Sequence, residues 1–126
     1  IGRFGDLAKP VAIRTLIEKI KKTFQVKSVG IIGPQKGRIQ RAAVGAGSCG
    51  TLLPSVINNQ CDFFLTGELK HHHALELQAA HITTVCLSHS VSERIILSRL
   101  AQRLQHQCQG IQTFLSRKDR DPFTWQ

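Results

Sequence analysis

Ile82-Thr83-Thr84-Val85-Cys86-Leu87-Ser88-His89-Ser90-Val91-Ser92-Glu93-Arg94 passes from one structural period into another. Ile82 to Leu87 is apolar or β-branched and reads as a buried strand. Ser90 reads as an N-cap, and from Glu93 to Cys108 the apolar positions return at helical spacing. A strand handing over to a helix is the repeating step of an α/β fold, and ligands collect at that end of the strands. His89 and Glu93 stand at the handover. Four residues apart, an imidazole and a carboxylate can be aimed at one metal ion. A plainer reading fits as well, since Ser90-x-x-Glu93 is the pattern of a capping box worth roughly 1 kcal/mol.

The alternation continues on both sides of this step. Pro10 to Phe24 sets Val11, Ile13, Leu16, Ile17 and Ile20 against a Lys-rich face and reads as an amphipathic helix, with Pro10 in its first turn. Lys27 to Ile32 and Ile39 to Val44 read as two strands, joined as a hairpin across the breakers Gly33-Pro34-Gln35-Lys36-Gly37. A short helix from Thr51 to about Asn58, a strand from Cys61 to Thr66 and a helix from about Lys70 to Ala80 follow. The long helix ends near Cys108 with Gly110 as its C-cap. Ile111 to Leu115 reads as a last strand and residues 116–126 as a polar tail. The expected fold is α/β: a layered αβα sandwich with a mostly parallel mixed sheet, in the order α-β-β-α-β-α-β-α-β.

A length of 126 residues suits a single domain with its own core. The chain has no Met and begins Ile1-Gly2-Arg3-Phe4-Gly5, which reads as a start inside a longer protein. Cys49, Cys61, Cys86 and Cys108 are widely spaced, so a disulfide framework or a Cys-rich zinc site is not expected, and buried thiols in a reducing compartment are. No apolar run reaches membrane-spanning length. Residues 1–41 hold ten of the 17 Lys and Arg against two of the eight acids. No aromatic residues interleave with these charges, which argues against a base-stacking platform and leaves solvated or inter-subunit charge as the expected role.

Three groups of residues carry the chemistry. Gly45, Gly47 and Gly50 match G-x-G-x-x-G between a strand and a helix. The two-turn helix with Pro54 near its start, and the hairpin pairing of the strand before the loop, count against a dinucleotide site. A loop presenting backbone N–H groups to an anion and a tight turn of small residues both remain open. Thr66-Gly67-Glu68-Leu69-Lys70-His71-His72-His73 is the second group; neighbouring histidines on a helix point about 100° apart, so at most one or two face a common site. His89 and Glu93 are the third. The loop, Glu68 and His89 each follow a strand's carboxyl end, and parallel strands would put all three on one rim.

Taken in order, the Gly47-Ser48-x-x-x-x-Leu53 loop, Asp62-Phe63-Phe64-Leu65-Thr66-Gly67-Glu68 with histidines behind it, and His89-x-x-x-Glu93-Arg94 resemble the NGG-interacting-factor-three-like family, whose bacterial members are often labelled GTP cyclohydrolase I type-two homologs. Gly2-Arg3-Phe4-Gly5 resembles the junction between that family's two halves. Asp121-Pro122-Phe123 resembles the C-terminus of its eukaryotic members. The likeness spans the whole chain, which would be the second half of a member. The residue before the ligand histidine, often Gly in the family, is Ser88 here.

The resemblance implies two α/β halves enclosing a dinuclear site for two divalent ions (Zn, Fe or Mn), with His89 and Glu93 as ligands and the remaining ligands in the missing N-terminal half. By motif, Glu68 and His72 line the pocket, and Gly47 and Ser48 join them in binding substrate. The implied activity is metal-dependent hydrolysis of a nucleotide or other phosphate-bearing substrate. The competing class is a non-catalytic adaptor for a transcriptional regulator. Expected partners are the chain's own N-terminal half and further copies in a dimer or larger oligomer, with no membrane and no specific nucleic acid. The expected location is the cytoplasm and the nucleus.

Overall fold

The apolar runs around residues 61–66 and 82–87 form the middle of a five-stranded sheet. Phe63, Phe64, Thr83, Thr84 and Val85 are almost wholly buried there, each Phe contributing about 2–3 kcal/mol of apolar transfer energy. The computed structural model describes residues 2–123. Its elements are β1 (Gly2–Ala12), α1 (Ile13–Phe24), β2 (Gly30–Ile32), β3 (Arg38–Gly45), a 3-10 turn (Gly50–Leu52), α2 (Leu53–Asn58), β4 (Phe63–Thr66), α3 (His71–Ala79), β5 (Thr83–Cys86) and α4 (His89–Gln107). The sheet order is β1-β3-β4-β5-β2.

Successive side chains of a strand leave opposite faces of the sheet, and β4 uses both. Phe64 packs with Leu53 and Val56 of α2 and Leu77 of α3. Phe63 packs on the other face with Ile13, Ile17 and Ile20 of α1, and Val91 of α4 lies against that cluster. The α/β class and the αβα layering are therefore as the sequence predicts. Pairing is parallel in the middle, β3 with β4 and β4 with β5, and antiparallel at both edges.

The order of elements differs from the expected one at both ends. No element was expected before Pro10, and Pro10 to Ala12 were read as the start of a helix; all of Gly2–Ala12 is instead the strand β1, which pairs with β3 across an irregularity between Asp6 and Val11. Pro10 falls within that irregular stretch of an edge strand, where a missing N–H is tolerated, so the helix begins only at Ile13. The expected hairpin between the second and third runs does not form. β3 is taken by β1 and β4, and β2 instead closes the far edge against β5. Ile111 to Leu115 is not a strand, and the sheet's two edges are β1 and β2. That segment runs back along α4, where the Thr113 hydroxyl donates to the Ala101 carbonyl at 3.1 Å.

All four cysteines are free, with Cys49 and Cys61 buried and Cys108 exposed. Burial pushes the Cys86 thiol up to about 11. Among the described residues no helix is long and apolar enough to cross a membrane.

Candidate functional site

Because β3, β4 and β5 are parallel, their carboxyl ends open onto one rim. The glycine loop leaves β3 there, Glu68 follows β4, and His89 begins α4 three residues beyond β5. An isolated parallel bridge between Ser48 and Glu68 extends the β3–β4 pairing past the strands. Glu68 N–H also donates to the Gly47 carbonyl at 3.0 Å. The loop and the carboxylate are thus fixed to each other before any side chain takes part.

The cap of α4 decides what Glu93 is for. The N-cap is Ser88, with φ −77° and ψ 159°, and its hydroxyl accepts from Val91 N–H at 3.3 Å. Ser90, the expected cap, is already inside the helix, and its buried hydroxyl has no partner among the described residues. The Ser90–Glu93 capping box therefore does not exist, and Glu93 turns to His89. Glu93 Oε1 lies 3.4 Å from His89 Nε2, and Glu68 Oε1 lies 3.0 Å from His89 Nδ1. The expected convergence of the three groups on one rim is found. Their side chains are about half exposed, at 48%, 54% and 52% for His89, Glu68 and Glu93. The hydrogen bond to Glu68 is the main cause raising the His89 pKa above its ordinary value; desolvation opposes it, and the charges of Glu93 and Glu68 add to it.

Two glycines let the backbones come this close. Gly47 has φ +71°, in the left-handed region, and a Cβ there would lie 2.6 Å from Glu93 Oε1 and 3.1 Å from His89 Nε2. Gly67 needs no unusual torsion; a Cβ on it would meet the Gly47 carbonyl at 2.5 Å and the Ser92 hydroxyl oxygen at 2.6 Å. Ser92 joins these parts. Its hydroxyl accepts from Gly47 N–H and donates to the His89 carbonyl, both at 2.8 Å. The Gly47 N–H is thereby engaged inside the protein, which removes it from the donors expected for a bound anion.

Ser92 was not singled out by sequence, although two glycines facing one helix signal that something small must sit on that helix. The C-terminal segment was read only as a polar tail. In the structure Ser88 donates to Asp121 Oδ2 at 2.6 Å, and Arg94 pairs with Asp119 at 3.0 Å. Ser88 thus caps the helix and holds the tail. His72 stands apart from the rim triad. It is exposed on the first turn of α3, with its ring against that of His73 at 4.2 Å between centroids. No hydrogen bond or ion pair joins it to Glu68, His89 or Glu93 among the described residues. Ser48 is exposed beside the triad, and Gly47 is buried under it.

The triad is a ring between two carboxylates, and that geometry limits what it can hold. An ionised carboxylate only accepts, so the contact at Nδ1 requires a ring N–H there. The imidazolium meets the second carboxylate with its Nε2–H; in the neutral ring with its proton on Nδ1, Nε2 carries a lone pair facing Glu93, an arrangement that a cation between them relieves. Two donors of one zinc-sized ion stand about 3.0–3.4 Å apart, and the observed 3.4 Å fits. Glu68 addresses the other ring nitrogen and is no third donor. Consistently, no group of three His, Cys, Asp or Glu side chains suited to a metal occurs among the described residues.

A sequence model of the family described as Duf34/NIF3 (NGG1p interacting factor 3) matches residues 1–122. NIF3-like protein 1 of Rattus norvegicus is 33% identical over 127 aligned residues, covering 97% of this chain and 33% of that protein. A GTP cyclohydrolase 1 type 2 homolog of Listeria innocua is 25% identical, covering 98% of this chain and 34% of that protein. A solved Bacillus cereus protein related to NIF3 superposes with a TM-score of 0.81 at 19% identity, over 99% of this chain and 36% of that one. At that identity the likeness is one of fold. The chain spans about a third of the length of the curated relatives it matches.

Proposed function

The chain belongs to the Duf34/NIF3 family, and on that premise we propose that it supplies part of a dinuclear metal site in a hydrolase. The substrate is a nucleotide or another phosphate-bearing molecule, and the ions are Zn, Fe or Mn. The observation that carries this reading is the 3.4 Å approach of His89 Nε2 to Glu93 Oε1, under a glycine with no side chain to fill the space. When bound, a pair of divalent ions supplies Lewis-acid charge and makes water acidic enough to be a nucleophile near neutral pH.

This chain's residues do the holding. His89 and Glu93 are the donors, and Ser92 and Ser88 set the first turn of α4 from which both project. Gly47 leaves one side open, and the half-exposed rim gives a substrate access. Two donors fall short of the three that a catalytic metal usually takes from protein, so the rest of the full-length protein completes the set. The Listeria relative's name, a cyclohydrolase homolog, supports a nucleotide substrate. Elemental analysis and zinc titration of the full-length protein test the reading. His89→Ala and Glu93→Gln should each weaken zinc binding by roughly tenfold or more, the loss seen even for groups that only support a ligand. Unchanged affinity in both would refute it.

A second reading has its own observation. Ile96 and Leu100 of α4 are 56% and 48% exposed, and the family is described as an interacting factor. On this reading the protein is an adaptor for a transcriptional regulator. Binding of such a partner that survives His89→Ala would favour it.

A further inference from the structure

We propose that Glu68 is a positioning residue for His89: it accepts the Nδ1–H bond, fixes the ring's tautomer and orientation, and presents Nε2 as the donor beside Glu93. The proposal rests on the metal-site reading above and assigns Glu68 a role other than contact with substrate. Both ring nitrogens are addressed, and by different elements. Nδ1 meets the carboxylate that follows β4, at 3.0 Å, and Nε2 meets the carboxylate one turn along α4, at 3.4 Å. Which ring nitrogen carries the proton is set by the hydrogen bond that it makes. In the neutral ring, a proton on Nδ1 satisfies the shorter contact and leaves the lone pair on Nε2. A histidine ligand whose second nitrogen donates to a carboxylate is held in one rotation and is a stronger donor.

Glu68 is itself placed by backbone. Its N–H donates to the Gly47 carbonyl at 3.0 Å, and its strand extension pairs with Ser48. Gly67, next to it, packs against Gly47 and Ser92 with no room for a side chain. Ser92 in turn bonds the His89 carbonyl at 2.8 Å. The backbones that carry the acceptor and the ring are thus tied through one set of contacts, which brings the Glu68 side chain within reach of the ring. Among the described residues, Glu68 is the partner that Nδ1 has at the rim.

The test uses the full-length protein and zinc alone as the probe, with competition against a chromophoric chelator. Glu68→Ala should weaken zinc binding by roughly tenfold to a hundredfold, while Glu68→Gln, whose amide oxygen can still accept from Nδ1, should recover most of the loss. Nitrogen-15 spectra of the zinc-free protein, at a pH where the His89 ring is neutral, should show the proton on Nδ1 in the parent. In Glu68→Ala it should move toward Nε2, a signature that a purely structural loss would not produce. If Glu68→Ala binds zinc like the parent while His89→Ala does not, Glu68 has no positioning role and the metal site stands. If neither variant changes zinc affinity, the metal-site reading falls and takes this proposal with it. A proton that stays on Nδ1 in Glu68→Ala overturns the proposal whatever the affinities.

Discussion

The first turn of α4 and the three turns after it are built in opposite ways. In the first turn, Ser88 bonds Asp121 and Val91 N–H, His89 bonds Glu68, and Ser92 bonds Gly47. Three polar side chains tie that turn to the glycine loop, the end of β4 and the C-terminal segment. Further along, Ile95, Ile96, Leu97, Leu100 and Leu104 are all more than a third exposed. An isolated apolar side chain at the surface is ordinary, but this many on one helix form a patch of the kind that marks an interaction surface. The polar end is fixed by directional bonds that leave few positions available. The apolar end is held by little within the described chain. Placement of donors therefore belongs to the first end, and capacity for a partner to the second.

That contrast breaks most severely at Gly67. Gly67→Ala sets a methyl 2.5 Å from the Gly47 carbonyl and 2.6 Å from the Ser92 hydroxyl, so backbone must move. A loss of about 3 kcal/mol is expected, measured by urea unfolding of the chain. A cost below about 0.5 kcal/mol, the range of ordinary surface substitutions, would show that the loop and α4 are not in tight contact.

Ser92→Ala is the next largest. It leaves the Gly47 N–H, now bonded at 2.8 Å in a buried position, without its acceptor. A buried donor left unpaired costs about 2 kcal/mol. Ser92→Thr, which keeps the hydroxyl, should recover part of the loss if its methyl is tolerated. A neutral Ser92→Ala would mean that the first turn of α4 is held by apolar contacts such as those of Val91 instead of by its polar bonds, and the comparison would lose its basis.

What the sequence shows of this arrangement follows from how local each cause is. β4, β5, α3 and α4 are legible because an apolar run or a helical period lies within the segment itself. The rim is legible for a related reason: parallel strands separated by helices put their carboxyl ends together whatever the loops contain. β1 is not legible, since it is an edge strand with mostly exposed residues, no regular alternation and Pro10 in its irregular part. Its strand character comes from β3, some 30 residues away. The β2–β5 pairing is likewise a property of the assembled sheet; locally, β2 and β3 look like a hairpin. Ser92 lies between these cases. Nothing at position 92 marks it, and its function appears only once Gly47 and Gly67 are brought against the same helix.

The smallest expected effect falls at the far end of the comparison. Leu100 and Leu104 are 48% and 39% exposed, and Gln has nearly the helix propensity of Leu. Leu100→Gln and Leu104→Gln should each change the stability of the chain by less than about 0.5 kcal/mol. Leu77→Ala gives the scale for a side chain of the same type, since Leu77 is fully buried against the sheet; it should cost about 3 kcal/mol. Unfolding should be followed at two protein concentrations a hundredfold apart. A loss in Leu100→Gln that grows as the parent is concentrated would mean that copies of the chain cover this face. A large loss independent of concentration would mean that the chain covers it itself, and the two ends of α4 would then be equally anchored. No change at either concentration leaves the apolar end as drawn: dispensable to this fold and available to a partner.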